Sequence, residues 1–413
     1  MTSSTQQHVA PPQSSDGAEP SKAWRGFFAA NLAMSMGMGI FAIMCIAAFA
    51  PLVVEDLGLS RAQLGSITTV GFAVAALTSG PAGRWVHGAS GRTVMYSVFV
   101  IGGLAVVSMA GAKSLAWLWV AGMLCGAAQA IANVISNQLV ADHIPHGQQG
   151  MQIGIKQSGP PLAQTFIGFA LPPMAVLVGW RWAVLTGVVF SIGGLVATRL
   201  IVPNVERHSA AAAASARARL DPLVLRFAVC AFTVAMAIQP VLTYVPLFAF
   251  ERVGLAPAIA GMTSGVIGVA GILARIGWGK VTEHRNDPLL ALAILSGIAF
   301  VALLLIMASE YVGSWSLWLG LVAFGVSGMA TTAVIMLALV RLAGSSGAGR
   351  ASGVVVRGLF LGGLGAPVAF GALVDRTQSY TLGWAAVAAV LLIQGTLTVV
   401  WRRALPATPS TPA

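Results

Sequence analysis

Three cations, Lys156, Arg275 and Arg357, stand inside long apolar runs, and none of the twelve acidic residues does. Asp142, Glu206 and Glu283, like Glu55, Asp56, Glu251, Glu310 and Asp375, lie at run ends, and the other four lie in polar segments. An ionised side chain in a low-dielectric interior costs several kcal/mol, so its presence marks a candidate site. Cations without a carboxylate attract anions and repel other cations. A small anion, first of all a carboxylate, is their simplest partner. Each cation also has a structural reading. Arg275 lies five residues before Lys280 and could extend to the membrane interface or brace packing. Arg357 lies seven residues beyond Arg350, roughly 10 Å along a helix, which is harder to span. Lys156 could bond to carbonyls that Pro160 leaves without a donor.

Neutral polar residues extend the candidate site. Gln129, Asn133 and Asn137 recur every four residues, which puts them on one side of a helix. Asn31 and Ser35, Gln239, Thr243 and Tyr244, and Thr331 and Thr332 mark other apolar runs. The competing role for each amide is a hydrogen bond between helices.

Other chemistries are poorly supported. "GWGKV" at Gly277 lacks the upstream glycine and following Ser or Thr of a phosphate-binding loop. His143 and His146 have no clustered further ligand, so no metal is expected. Cys45, Cys125 and Cys230 form no CxxC pair and read as small packing residues. No His, Asp, Glu or Cys set falls at one depth, so neither an enzyme nor a cofactor is expected. The net charge of +11 is scattered one or two residues at a time, unlike a nucleic-acid surface.

The elements that position these residues are membrane helices. Of 413 residues, 57% are apolar and 8% charged, against roughly 25% charged in soluble domains. Apolar runs cover 26–50, 62–82, 93–112, 115–140, 151–178 and 181–202, then 223–249, 258–279, 288–309, 314–341, 351–374 and 384–401. Each is long enough, or nearly so, to cross a bilayer. This predicts an all-α polytopic membrane protein of twelve transmembrane helices in two six-helix bundles, 26–202 and 223–402. A disordered tail (1–25), a linker (203–222) and a second tail (403–413) complete the chain. With the amino terminus inside, fifteen Lys and Arg fall on the inner side and five outside, placing both termini in the cytoplasm of a cell with an inner, plasma membrane.

The halves repeat. "EDLGLSRAQLG" from Glu55 and "ERVGLAPAIAG" from Glu251 share five residues at an offset of 196, which also carries Gly83-Arg84 onto Gly279-Lys280. The loops "GPAGRWVHGASGR" (Gly80 to Arg92) and "GWGKVTEHR" (Gly277 to Arg285) then resemble the paired loop signature of the major facilitator superfamily of secondary transporters. "GWRWAV" at Gly179 and "GWAAV" at Gly383 strengthen the resemblance, which spans Gly26 to Trp401.

The resemblance implies parallel repeats, alternating access, and a gate made of Gly83, Arg84 and His87 with Gly279, Lys280 and Glu283. His87 stands where the signature has an acid, either as a tolerated loop residue or as a pH-sensitive latch. "GIKQSGPP" (Gly154 to Pro161) partly resembles the exporters' glycine-proline signature but reads Leu162-Ala163-Gln164 afterwards. The position of Arg275 is similar to that of the substrate-binding arginine of monocarboxylate and oxalate transporters. Arg357 lies near the lysine that oxalate transporters use, while the span 1 lysine of monocarboxylate carriers has no counterpart at Pro51-Leu52-Val53. In this family the first, fourth, seventh and tenth helices line the cavity.

The combined expectation is a monomeric transporter, surrounded by membrane lipid, that moves a small organic anion. Coupling would be by exchange with a counter-anion, or to protons through the substrate's own protonation. An exporter of neutral or amphipathic compounds is the alternative, and a membrane-embedded sensor a distant one.

Overall fold

The protein's structure is a computed structural model that describes residues 22–145, 149–202, 222–285 and 287–404. Within these helices, the side chains at 22, 87, 149–150, 276, 279–285 and 340–352 are outside the described set. The linker (203–221 of it) and most of both expected tails therefore lie outside the described residues, as do the side chains of His87, Gly279, Lys280 and Glu283.

The first half of the chain contains α1 (Lys22–Met38), α2 (Phe41–Ala48), α3 (Ala50–Leu57), α4 (Arg61–Gly88), α5 (Gly91–Ala110), α6 (Leu115–His143), α7 (Gln149–Gln157), α8 (Gly159–Val178) and α9 (Trp180–Ile201). The second half contains α10 (Pro222–Glu251), α11 (Pro257–Arg285), α12 (Pro288–Val312), α13 (Ser314–Thr377) and α14 (Tyr380–Arg403). Only helices appear among the described residues, as hydrocarbon demands, because a helix satisfies its own backbone hydrogen bonds. Eleven segments are long and apolar enough to cross a membrane, α7 and α8 together forming one of them (Met151–Val178), and the bent pair α1 and α2 makes twelve. α13 carries two spans, Ser314–Leu339 and Gly353–Thr377.

The internal repeat is visible in the element boundaries. Adding 196 to the first residue of α4, 61, gives 257, the first residue of α11. Ser60 caps α4 by accepting from Gln63 N, in a reciprocal capping box, and Asp287 caps α12 by accepting from Leu290 N.

The continuous first span expected over 26–50 is in fact broken. α1 and α2 meet at 54° around Gly39 and Ile40, and Pro51 opens the separate α3. Packing explains the break, since a Cβ at Gly39 would lie 2.6 Å from Gln129 Oε1 and 3.0 Å from its Cα. The chain can approach α6 this closely only with glycine there.

The expected fifth span remains one crossing, Met151–Val178, but its helix is interrupted at Ser158, between α7 and α8. Pro160 and Pro161 have no N–H for the carbonyls of Lys156 and Gln157. Glycines also set the contacts between halves: a Cβ on Gly168 of α8 would sit 2.0 Å from Gly265 N of α11. Cys45, Cys125 and Cys230 are free and buried.

Candidate functional site

A cavity of about 100 Å³ opens where the bent α1 and α2 meet the other half of the chain. Its walls come from α2, α4, α6 and α8 of the first half and from α10, α11 and α13 of the second. Ile43, Met44, Phe72, Ile167, Leu242 and Phe360 make most of the surface apolar. Gln129, Gln164, Gln239, Thr243 and Ser264 supply polar groups, and no charged side chain among the described residues lines it.

The fit of α6 against α4 positions Gln129. A Cβ on Gly126 would lie 2.0 Å from Gly71 O, so two glycines bring these helices into backbone contact. The buried Oε1 atoms of both Gln129 and Gln164 lack a hydrogen-bond partner among the described residues. An amide can present either its oxygen or its NH2 after a half-turn, so this capacity serves acceptors as well as donors.

Gln129 begins a polar stripe. Asn133 follows one turn later and donates to Gln129 O at 3.1 Å. Asn137, a further turn on, is exposed, and its Oδ1 accepts from Lys156 Nζ at 2.5 Å. Lys156 itself is 0% exposed and also donates to Ser136 Oγ at 2.8 Å. No ion pair to Lys156 occurs among the described residues; both partners are neutral oxygens.

The remaining expected site residues lie elsewhere. Arg275 does not line the cavity. Its Nη1 donates to Gln157 O, the carbonyl that Pro161 leaves without a donor, and its Nε donates to Met329 O at 3.4 Å. It thus braces the α7–α8 break against α11 and α13, the carbonyl role that had been the alternative for Lys156. Arg357 is exposed, outside the cavity, on the side of α13 that also exposes Leu361. The distance from Arg350 that argued for a cavity role carries no weight where the helix face itself is open. Asn31 is buried and donates to Thr198 Oγ1 at 3.1 Å, joining α1 to α9. Among the gate residues, Gly83 has no described residue near its missing Cβ, and Arg84 is exposed.

Tyr244 belongs to a different cluster, at the end of the molecule where α4 begins. Its hydroxyl donates to Pro367 O at 2.8 Å and lies 2.6 Å from Arg61 O. Arg61 donates through Nη2 to Glu251 Oε2 at 2.9 Å, and its Nη1 lies 3.6 Å from Asp375. The Asp375 carboxylate also accepts the N–H groups of Arg61 (3.1 Å) and Ala62 (2.8 Å), so an acid of the second half caps a helix of the first. Tyr380 donates to Glu251 Oε2 at 2.7 Å. We call this cluster the clasp.

Sequence reasoning missed the clasp, Gln164 and Ser264. Glu251 stood in the repeated segment, but nothing local paired it with Arg61.

Residues 27–367 match the Major Facilitator Superfamily. The chain belongs to that superfamily. It is 25% identical over 378 residues to the nitrite extrusion protein of Bacillus subtilis, covering 89% of this chain and 92% of that one. It is also 25% identical over 297 residues to an uncharacterised MFS-type transporter of Mycobacterium tuberculosis, covering 71% of this chain. The match spans 66% of the mycobacterial relative's length, just under two thirds. A bacterial homolog of the human lysosomal transporter Spinster, solved inward-facing and unoccupied, superposes with a TM-score of 0.71 at 16% identity, covering 95% of this chain and all of that one. The twelve-span fold read from the sequence is therefore the superfamily's fold, that of a multi-pass membrane protein.

Proposed function

We propose that this superfamily transporter moves a small singly charged anion, a carboxylate or nitrite, through the central cavity by alternating access. The observation that carries the reading is the polar stripe from Gln129 through Asn133 and Asn137 to Lys156, a buried cation with no carboxylate partner among the described residues. Such a charge is strongly disfavoured alone and is stabilised by an arriving anion. Nitrite and carboxylate both present two oxygens on a bent planar centre, which suits amide N–H donors and an ammonium. The name of the Bacillus relative agrees with a small anion.

The clasp supports an orientation. The fifteen-to-five distribution of cations supports cytoplasmic termini, and that orientation would set the clasp on the outer side. With the halves fastened there, the cavity would communicate with the inner side, and the membrane would be the plasma or inner membrane. Arg275 and Arg357 hold packing and surface positions in this reading, and Lys156 takes the role of substrate cation.

An exporter of neutral or amphipathic compounds is the second reading, favoured by the uncharged and mostly apolar cavity wall. Counterflow in proteoliposomes separates the two. Vesicles loaded with nitrite or a short-chain carboxylate should take up the labelled anion well above protein-free vesicles. Uptake of neutral amphiphiles with no anion counterflow would favour the second reading.

A further inference from the structure

Resting on the anion-transport reading, we infer that Lys156 is also the coupling site: it takes up a proton with the anion and gives it up when the anion leaves. The geometry accommodates both forms of the amine. Nζ donates to Ser136 Oγ at 2.8 Å and to Asn137 Oδ1 at 2.5 Å. A neutral amine has two N–H groups, so these two acceptors satisfy it and leave its lone pair free. An ammonium has three, so the same two contacts persist and the third N–H points where the lone pair was. Only that third position changes between the forms, and it is where an anion would bind.

Nothing described pins the charged form. On the elements packed against α7, the titratable or charged residues are Lys22 and Arg25 of α1 and Cys125, Asp142 and His143 of α6; α8 has none. The Lys22 side chain lies outside the described set. Asp142 accepts from Gln138, His143 Nδ1 contacts Leu139 O, and Cys125 is on the cavity wall a full three turns from Asn137. Arg275 of α11 donates to the carbonyls of Gln157, the next residue, and of Met329. None of these is a hydrogen-bond partner of Lys156.

A buried ammonium without an opposite charge is costly, and an arriving anion offsets that cost. Proton and anion therefore bind cooperatively at one place, each raising the affinity for the other by the same factor. The balance is simple. The amine lone pair takes one proton from the water on the side that supplies the anion, and the pair crosses with no net charge. The anion then leaves, and the same proton follows it from the ammonium. One proton accompanies each anion, with no membrane-embedded carboxylate.

The test uses the purified full chain with sodium nitrite as probe. In weakly buffered detergent solution near neutral pH, adding nitrite to the wild type should draw up to one proton per protein from solution. In vesicles, with protein-free leak subtracted, a pH gradient should drive net nitrite uptake with about one proton entering per nitrite. In Lys156→Arg, a permanent cation, nitrite exchange should be slowed, the protons moved per nitrite should fall near zero, and binding should draw none. If that variant does not fold, Lys156→Gln should likewise bind nitrite, more weakly, without drawing protons. Proton uptake retained in either variant, or wild-type nitrite transport with no accompanying proton, would overturn the coupling role while leaving anion transport standing. Wild type that neither binds nor exchanges nitrite or formate would overturn the anion reading and the coupling role with it.

Discussion

The clasp and the Lys156 site treat charge in opposite ways. Arg61 is partly exposed, at 30%, and meets two carboxylates: Glu251, which Tyr380 also holds, and Asp375, which also caps the helix that Arg61 begins. Lys156 is sealed from solvent and meets two neutral oxygens. The clasp is internally complete, so it stabilises one arrangement of the two halves and needs nothing from outside. The Lys156 site is incomplete in charge, so its most stable state requires a partner. A cluster whose charges all have partners at an interface acts as a fastening, and a buried charge without an opposite partner acts as a receptor.

Removing the unbalanced charge should have the largest effect. In Lys156→Gln, loss of a charge-assisted bond worth about 1.5–3 kcal/mol should weaken nitrite binding roughly 10- to 150-fold, at about 1.4 kcal/mol per tenfold. Folding should survive, because the neutral amide keeps donors for Ser136 and Asn137. Calorimetric titration of folded variant checks this.

Unfastening the clasp comes next. Arg61→Gln removes the guanidinium from Glu251 and Asp375 but leaves the backbone cap. The fastened arrangement should lose about 1.4 kcal/mol, roughly a tenfold shift, since the pair is partly solvated. Distances between spin labels at that end should broaden or lengthen while nitrite affinity per competent molecule holds. Closed distances identical to the wild type would show that the glycine crossings alone hold the halves together.

Tyr380→Phe is a milder version. It removes one hydrogen bond to Glu251, about 1 kcal/mol, and should shift the same distances no more than about fivefold in population. The smallest effect is expected at Arg357, exposed and unpaired among the described residues. Arg357→Gln should change anion affinity by less than about twofold; a tenfold loss would return that residue to the site.

The fold was legible because its signals are periodic and local. Apolar length, cation asymmetry and the 196-residue offset each survive without tertiary knowledge, and the offset connects the starts of α4 and α11. The broken first span was less visible, since Gly37 and Gly39 in an apolar run look the same whether a neighbour approaches or not. Within the site, Gln129 and Gln239 were readable as lone amides in apolar helices, as Gln164 should have been. Tyr244 could have been separated from Gln239 by periodicity alone: five residues turn a helix by about 140°, whereas Thr243, four residues on, stays near the same face. Both Gln239 and Thr243 line the cavity. The clasp was beyond reach, because Arg61, Glu251, Asp375 and Tyr380 meet across more than a hundred residues of sequence. Arg275 shows a further limit. Its burial among apolar residues suggested a substrate, but a carbonyl exposed by Pro161 on another helix already occupies it.

The central claim is that the cavity and Lys156 together bind a small anion. It is tested most directly by the melting temperature of the purified wild type and Lys156→Gln across a nitrite concentration series at fixed ionic strength. A ligand that binds only the folded state raises that temperature with its concentration. The account predicts a saturable rise for the wild type and a curve displaced at least tenfold to higher concentration for Lys156→Gln. Superimposable curves for the two proteins, or no rise in either with nitrite, formate or acetate, would contradict it.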